Sequence, residues 1–322
     1  MNKGDITMKK LITLVIALAF ALSMFLPALA EDAAPEMKIH IFDHTPFMNG
    51  DHSIGSQDCF FLFLPGGQTM MIDTSFDFMT ENVINWLNAI GAPKAVDYLI
   101  LTHYHQDHVG GVRNLLDAGY TFGAIYEPQW GKFNVGTHFD YFNALSDYNL
   151  ATNRLRAGDT LDIGDVHIKV LWPLPDQPDL DKDPFGQADA NMLNIYSLVF
   201  RMDYGLFSSM WTGDTEPISQ EYLLQNDPDS LGGISFYKMN HHGSSYTTPL
   251  EDYVEALEPI ISVTTAPQYW CPTTLKYLKT HCFENYITGN HGHITIVTDG
   301  THVQALPEKG APGELFDLTE FE

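Results

Sequence analysis

The pattern of apolar and polar positions alternates between short apolar runs and segments with helical spacing. Apolar runs of about four to eight residues predict buried strands, whereas apolar positions recurring every three or four residues predict amphipathic helices. We predict strands over residues 38–42, 59–64, 69–72, 96–101, 124–126, 160–163, 166–172, 196–202, 206–211, 235–239, 260–264, 293–298 and 301–305. We predict helices over residues 81–90, 112–118, 218–224, 250–257 and 273–280. Strands and helices are thus interspersed in both halves of the chain, which is typical of an α/β fold.

The first 30 residues have the pattern of a secretory signal peptide. Lys9 and Lys10 precede an apolar run over residues 11–26, and Ala28-Leu29-Ala30 has the small-x-small form of a cleavage site. The run is shorter than the roughly 20 residues of a membrane span, although an uncleaved anchor stays open. We therefore expect a signal peptide over residues 1–30, one catalytic domain over residues 31–322, and a secreted or extracytoplasmic protein without a stable membrane span after cleavage.

The charge balance restricts the class of partner. The chain has 16 Lys and Arg against 41 Asp and Glu, a net charge of −25, and no basic cluster longer than a pair. Such a field repels polyanions, which disfavours long nucleic acid as a substrate. Of the three cysteines, Cys59 lies in an apolar run and is expected in the core. Cys271 and Cys282 are close enough in sequence to leave a disulfide open.

Candidate chemistry is concentrated directly after the strand predicted over residues 96–101. Residues 102–111 read THYHQDHVGG, and they place His103, His105, Asp107 and His108 within six positions. Imidazole and carboxylate suit zinc, iron or manganese. His103 and His105 alternate and can share one metal, whereas Asp107 and His108 can reach a second. Two metals about 3.5–4 Å apart form a common hydrolytic site.

The spacing H-x-H-x-D-H-x-G-G resembles the signature of the metallo-β-lactamase superfamily. Later segments are similar to the ComEC-type competence-protein branch of that superfamily, namely residues 194–200, 212–216, 241–244 and 292–300. The resemblance implies a four-layer αβ/βα sandwich with the site along one edge, between two sheets. It also implies that Asp73, after the strand over residues 69–72, orients the ligand loop.

The resemblance further implies the ligand sets. His103, His105 and Asp214 would hold the first metal. Asp107, His108, Asp214 and one of His241 and His242 would hold the second. We prefer His241 as the ligand and His242 as the residue that either supports the ligands from behind or donates a proton, and we expect Asp107 also to orient the attacking water.

One departure from the family pattern concerns the first metal. Many members place a third histidine between the two halves of the domain, but this chain has no histidine between His167 and His241. The polar residues in that neighbourhood that could help are Asp189, Asn191, Asn194 and Ser197. We therefore expect the first metal to be under-coordinated or completed by water.

The resemblance implies an exported hydrolase with two divalent metal ions and a metal-bound hydroxide, acting on phosphodiester bonds of small or cell-envelope substrates. Zinc is the first expectation, with manganese or iron as alternatives. The other functions left open are a nuclease on short or single-stranded nucleic acid, a β-lactam or lactone hydrolase, and a non-enzymatic, metal-stabilised envelope binding protein. Aromatic residues over 126–148 would either form a recognition wall for a choline-like cation or pack a helix on the core.

Overall fold

A computed structural model describes residues 34–47, 56–130, 139–176, 191–244, 250–267 and 272–321. The predicted signal segment, Asp189 and Cys271 lie outside these ranges. One compact unit spans Glu36–Glu322. Among the described residues, no helix combines the length and apolar character needed to cross a membrane.

The strands have the following bounds. They are β1 (Met37–Ile41), β2 (Cys59–Phe63), β3 (Thr69–Thr74), β4 (Ala95–Ile100), β5 (Thr121–Pro128), β6 (Thr152–Leu155), β7 (Thr160–Ile163), β8 (Val166–Trp172), β9 (Val199–Tyr204), β10 (Phe207–Trp211), β11 (Phe236–Lys238), β12 (Ile261–Thr264), β13 (Glu284–Ile287), β14 (Ile294–Thr298), β15 (His302–Pro307) and β16 (Phe316–Asp317). The helices are α1 (Thr80–Ala89), α2 (Gln106–Val109), α3 (Val112–Asp117), α4 (Phe139–Asp147), α5 (Asn191–Ile195), α6 (Pro217–Asn226), α7 (Glu251–Leu257), α8 (Pro272–His281) and α9 (Thr288–His291).

The described strands form two sheets. One has nine strands in the order β16-β15-β14-β1-β2-β3-β4-β5-β6, and the other has seven in the order β13-β12-β11-β10-β9-β8-β7. Each sheet combines an antiparallel part with a parallel part, which is β3 to β6 in the first and β10 to β13 in the second. The carboxyl ends of parallel strands lie at one edge of a sheet, so the loops after β4, β10 and β11 are the natural place for a site.

Three apolar clusters define the layers. The central cluster joins inward-facing residues of both sheets, such as Phe60 and Ile39 from the first sheet with Phe200 and Trp211 from the second. The other two clusters lie between each sheet and the helices on its outer face. The order helix, sheet, sheet, helix confirms the predicted four-layer αβ/βα sandwich.

Most predicted strands and helices occur close to their expected bounds. The unpredicted elements are the short helices α2, α5 and α9 and three end strands, β6, β13 and β16. β6 and β13 illustrate why end strands are missed. Their residues TNRL and ENYI are largely polar and partly exposed. A strand with one free edge needs no continuous apolar run, so its sequence lacks the signal that marks a central strand.

Candidate metal centre

The ligand loop begins where β4 ends. Two histidines on alternate positions, His103 and His105, lie together, with 2.9 Å between His103 Nε2 and His105 Nδ1. The short helix α2 then turns the chain, so that Asp107 and His108 follow on a different side of the loop. The His103 and His108 rings remain close, with centroids 4.0 Å apart. One loop therefore supplies ligands in two directions.

Two glycines close this loop against the end of β3. A Cβ atom on Gly111 would lie closer than 3.0 Å to the Thr74 carbonyl oxygen, and one on Gly110 would similarly meet Asp77 N. The Gly111 amide donates to Ser75 O at 3.0 Å, and the Thr74 hydroxyl donates to His108 O at 2.9 Å. Only residues without a side chain permit this approach, which explains the Gly-Gly that follows the histidines.

Asp214 lies in the loop after β10, on the opposite sheet. Gly213, with φ of 47°, packs so tightly that a Cβ there would lie 2.9 Å from the Cβ atoms of Thr102 and Ser197. The Ser197 hydroxyl accepts a hydrogen bond from the Asp214 amide at 3.1 Å, and the Leu198 amide donates to Thr102 O at 2.8 Å. The two loops are thus locked together, and Asp214 reaches the histidine loop.

A single oxygen of Asp214 is the centre of the cluster. Four imidazole Nε2 atoms surround Asp214 Oδ2, at 3.8 Å for His103, 3.6 Å for His241, 3.3 Å for His108 and 3.3 Å for His242. Asp214 is buried, with 1% of its side chain exposed. This position fits a carboxylate that ligates two metal ions at once.

One set of ligands around Asp214 has the spacing of a metal site. His108 Nε2 and His242 Nε2 lie 3.7 and 3.5 Å from Asp107 Oδ2, and both lie 3.3 Å from Asp214 Oδ2. Tetrahedral ligands with bonds of about 2.0–2.2 Å stand about 3.3–3.6 Å from one another. The two Nε2 atoms are buried and make no well-aligned hydrogen bond within the described residues. The four measured distances therefore have the spacing expected between ligands of one divalent cation.

Carboxylates behind the histidines set the orientation of both rings. Asp73 Oδ2 lies 2.7 Å from His108 Nδ1 and also accepts from the Thr102 hydroxyl at 2.7 Å. Asp58 Oδ1 lies 3.2 Å from His242 Nδ1 and accepts from the Thr265 hydroxyl at 2.6 Å. A carboxylate on Nδ1 keeps the proton there and turns the Nε2 lone pair towards the metal. The role expected for Asp73 agrees with this geometry.

Asp58 was not anticipated from the sequence. It lies within 4.8 Å of ligand atoms of His108, Asp214 and His242. Its oxygens nevertheless face the Nδ1 side of the rings and the Lys238 ammonium group, so we assign it an orienting role rather than a ligand role. Asp58 precedes β2, whose first residue pairs with the last residue of β3. An antiparallel strand begins where its partner ends, and that rule would have brought Asp58 to the site.

Lys238 is a buried cation beneath the cluster, with 2% of its side chain exposed. Its ammonium group pairs with Asp58, donates to Gly213 O at 2.9 Å and lies 3.6 Å from Asp214 Oδ1. Burial opposes its charge, but Asp58 and Asp214 outweigh burial and raise the pKa of Lys238. The lysine therefore compensates two buried carboxylates and fixes the unshared oxygen of Asp214.

The protonation equilibria differ between the two sides of Asp214. Burial opposes charge on His108 and His242, but Asp214 and neighbouring carboxylates outweigh it and raise the pKa of both, that of His242 to about 10. Burial instead lowers the pKa of His103 well below 6.5, and it also lowers the pKa of His241. The carboxylates thus concentrate negative potential around His108 and His242, which favours a cation there.

The geometry favours His242, rather than the expected His241, as the ligand of the second metal. His242 belongs to the ligand group of His108 and Asp214, and both of its ring nitrogens face buried partners. This geometry favours His242 as the candidate ligand, and its burial leaves it little access to substrate. His241, with 24% of its side chain exposed, lies nearer the surface. Asp107 is also open to solvent, with 21% exposed, and it can face both metal and water.

The first ligand group is His103, His105 and Asp214, as the sequence indicated. Of the residues considered as substitutes for a third histidine, Asn194 keeps a buried Oδ1 without a hydrogen-bond partner among the described residues, whereas the others are bonded elsewhere or not described. Ser197 accepts from the Asp214 amide, and Asn194 lies 3.5 Å from Glu216. Asp189 and the Asn191 side chain are outside the described residues. The two groups share Asp214, so the described residues form two adjacent metal-ligand clusters.

The aromatic segment contributes mainly to the core. Tyr141 is buried and donates to Glu127 at 2.7 Å, and the Phe142 ring packs 5.5 Å from Tyr104. Tyr148 is partly exposed and donates to Asp117 at the surface. The described aromatics of this segment therefore favour a packed helix, whereas residues 131–138 lie outside the described residues.

Comparisons with known proteins agree with this architecture. Residues 53–185 match the model of the metallo-beta-lactamase superfamily. The chain is 30% identical to ComE operon protein 3 of Bacillus subtilis (strain 168) over 230 residues, which is 68% of this chain and 26% of that protein. The chain thus spans about a quarter of the length of that curated relative. This similarity confirms the resemblance noted in the later motifs.

Two solved structures resemble the chain over most of its length. The metallo-beta-lactamase fold protein YhfI from Bacillus subtilis has a TM-score of 0.47 at 15% identity, covering 78% of this chain and 96% of that one. The diiron beta-hydroxylase CmlA from Streptomyces venezuelae has a TM-score of 0.48 at 15% identity, covering 81% of this chain and 54% of that one.

Proposed function

The chain belongs to the metallo-β-lactamase superfamily, and from that membership we propose that it is an exported, metal-dependent hydrolase with two metal ions that cleaves phosphodiester bonds. The observation that carries the proposal is the position of Asp214, whose Oδ2 meets Nε2 atoms of two ligand groups at 3.3–3.8 Å. The donors are imidazoles and carboxylates, which suit zinc, manganese or iron.

The residues of the two ligand groups would have the following roles. His103, His105 and Asp214 would hold one ion, and Asp107, His108, His242 and Asp214 would hold the other. Bound there, the ions would act as Lewis acids and lower the pKa of a water molecule towards neutrality. Asp107 is the ligand whose carboxylate is open to solvent, so it is placed to accept a hydrogen bond from the attacking water.

Charge separates the candidate substrates. The net charge of −25 disfavours long polyanions, whereas a small phosphodiester or a single cell-envelope unit brings little repulsion. Of the described aromatics of residues 139–148, Tyr141 and Phe142 pack in the core and Tyr148 bonds Asp117, which leaves Phe139 exposed by itself and favours a packed helix over a choline-binding wall. We therefore propose a small or cell-envelope phosphodiester, without a choline requirement.

Hydrolysis of bis(p-nitrophenyl) phosphate by the metal-loaded protein tests this function. Turnover is expected in the parent protein and in His167→Ala, a matched control because His167 is exposed and bonds only Asp162 among the described contacts. Turnover should be lost in His105→Ala and Asp214→Asn. A short single-stranded DNA, p-nitrophenyl phosphorylcholine and nitrocefin are compared in the same assay. Turnover of nitrocefin alone, or tight metal binding with no turnover of any reagent, would overturn the proposal.

A further inference from the structure

Two consecutive histidines adopt a backbone conformation that non-glycine residues rarely take. His241 has φ of 42° and ψ of 45°, and His242 has φ of 52° and ψ of 20°. Gly243 continues the run with φ of 75°. Residues with side chains in the left-handed region persist where the surrounding structure fixes them, and such residues concentrate at functional sites.

The left-handed run turns both rings towards one atom. Successive side chains of an extended chain point to opposite sides. Here both Nε2 atoms approach Asp214 Oδ2, at 3.6 Å for His241 and 3.3 Å for His242, although their ring centroids are 6.0 Å apart. The backbone is held by hydrogen bonds from the His241 amide to Gly213 O at 3.1 Å and from the Ser244 amide to His241 O at 2.8 Å. The strained turn thus presents two imidazoles to the shared carboxylate from different directions.

The two rings face different ligand groups. The His242 ring lies 5.3 Å from the His108 ring, and with Asp107 and Asp214 these residues already supply four ligands. His241 approaches Asp214 Oδ2 at 3.6 Å, the oxygen that His103, His108 and His242 also approach. Burial, His108 and, to a lesser degree, His241 lower the pKa of His103, so His241 lies near the first group. The second group therefore has four candidate ligands without His241, whereas the first group has three.

We propose that His241 is the third nitrogen ligand of the metal held by His103 and His105, so that the histidine pair divides between the two metals. The proposal rests on the two-metal site of the proposed function and deepens it. His241 would then take the place of the third histidine, which the chain lacks between His167 and His241. In this assignment the histidine of the pair that would serve the first metal is the more exposed one, with 24% of the His241 side chain exposed against 1% for His242.

Metal stoichiometry tests this assignment without reference to activity. The protein is dialysed against zinc and then buffer, and bound zinc is measured by elemental analysis. The single variants are His241→Asn, His105→Ala and His242→Asn, with His167→Ala as control. Two double variants combine His105→Ala with His241→Asn or with His242→Asn, and the first of these is called the double variant below. Asparagine is chosen because it tolerates the left-handed backbone better than most residues. Circular dichroism and melting temperature show that each variant is folded.

The double variant decides the site. If His241 and His105 serve the same metal, each single variant and the double variant retain one zinc per chain, because the second site is intact. His242→Asn combined with His105→Ala should retain none. Two zinc ions in His241→Asn at an affinity within about threefold of the parent would overturn the inference, as would loss of all zinc in the double variant. Fewer than two zinc ions in the parent would overturn it as well.

These outcomes are separable from the proposed function. A parent protein that binds two zinc ions but hydrolyses no phosphodiester refutes the function and leaves the ligand assignment standing. An active protein whose His241→Asn variant keeps both ions refutes the assignment alone.

Discussion

The two ligand groups around Asp214 differ in how firmly they are held. In the group of the second metal, His108 and His242 are each backed on Nδ1 by a buried carboxylate, at 2.7 and 3.2 Å. In the group of the first metal, the contact described for His103 Nδ1 is the Thr102 hydroxyl at 3.2 Å. His105 is half-buried, and His241 is partly exposed.

This difference predicts an order of affinity. Rings held by carboxylates need little ordering when a metal binds, and their nitrogens are more basic. The second metal should therefore bind more tightly and exchange more slowly than the first. The shared oxygen of Asp214 connects the two groups, so the difference is one of degree within a single site.

The largest effect is expected from Asp214→Asn, because the shared carboxylate serves both groups. Both ions should be lost on dialysis. Loss of a residue that only orients a ligand typically lowers activity by up to roughly 100-fold, and turnover should fall by more than that here. Elemental analysis and turnover of bis(p-nitrophenyl) phosphate measure the two effects. Retention of one tightly bound ion would show that the two ligand groups do not share Asp214.

Asp73→Asn should weaken the second metal selectively. Asp73 has φ of 55°, which asparagine tolerates, so the backbone is preserved while the charge behind His108 is removed. We expect zinc affinity at the second site to fall by about 10–100-fold and affinity at the first site to change little. Competition with a chromophoric chelator resolves the two affinities. An equal loss of affinity at both sites would contradict the inference that carboxylates orient the ligands of the second metal only.

Partial chelation should release the first metal before the second in the unaltered protein. The first group has the more exposed ligands, and a hydroxyl rather than a carboxylate lies behind His103. Bound zinc, measured against chelator concentration, should therefore fall in two steps, and His241→Asn should abolish the earlier one. A single step removing both ions would contradict the predicted order.

Gly111→Ala should act through the loop that carries His108. The added methyl group would clash with the Thr74 carbonyl, and overpacking of this kind costs about 1–3 kcal/mol of unfolding free energy. Gly232→Ala is the matched control, because a Cβ there meets only Ala256 O at 3.9 Å. Urea unfolding of both variants gives the comparison. Equal stability of the two variants would mean that the close approach is not required.

The smallest effect is expected far from the cluster, at His40. Burial, and to a lesser degree Lys38, lower the pKa of His40 to about 4 from 6.5. The unfolded chain therefore binds a proton between pH 6.5 and 4 that the folded chain excludes, so the contribution of His40 to stability is full above pH 6.5 and declines as the pH falls to 4. His40→Gln should reduce the acid-induced fall in melting temperature over that interval, measured with chelator present. An unchanged profile would show that His40 does not contribute to the acid sensitivity of the fold over that interval.

Most of the fold could be predicted because central strands are apolar on both faces and therefore stand out in the sequence. The ligand loop could be predicted as a group, since His103, His105, Asp107 and His108 are nearly contiguous and their spacing is fixed by the chain itself. Asp214 could be placed because it follows a buried strand whose end lies at the same edge of the sandwich.

Two features of the site were beyond the reach of sequence patterns. Lys238 carries no motif, and it reaches the cluster only through burial beside opposite charges; Asp58 carries none either, and only the pairing of β2 with β3 could have indicated it. The choice between His241 and His242 depends on a left-handed backbone at both residues, which propensities of non-glycine residues do not predict. Tertiary contacts decide such conformations. The sequence alone therefore gave no physical reason to prefer His241 over His242 as the ligand of the second metal.

The position of the ligands on both sheets has a consequence for when the protein acquires metal. His103, His105, Asp107 and His108 lie in a loop of the first sheet, but Asp214 and the histidine pair follow much later in the chain. A nascent chain that has folded only its first half holds an incomplete coordination sphere. Both halves must therefore fold before a metal can meet all of its proposed ligands, so the metal available at that stage would be the one captured.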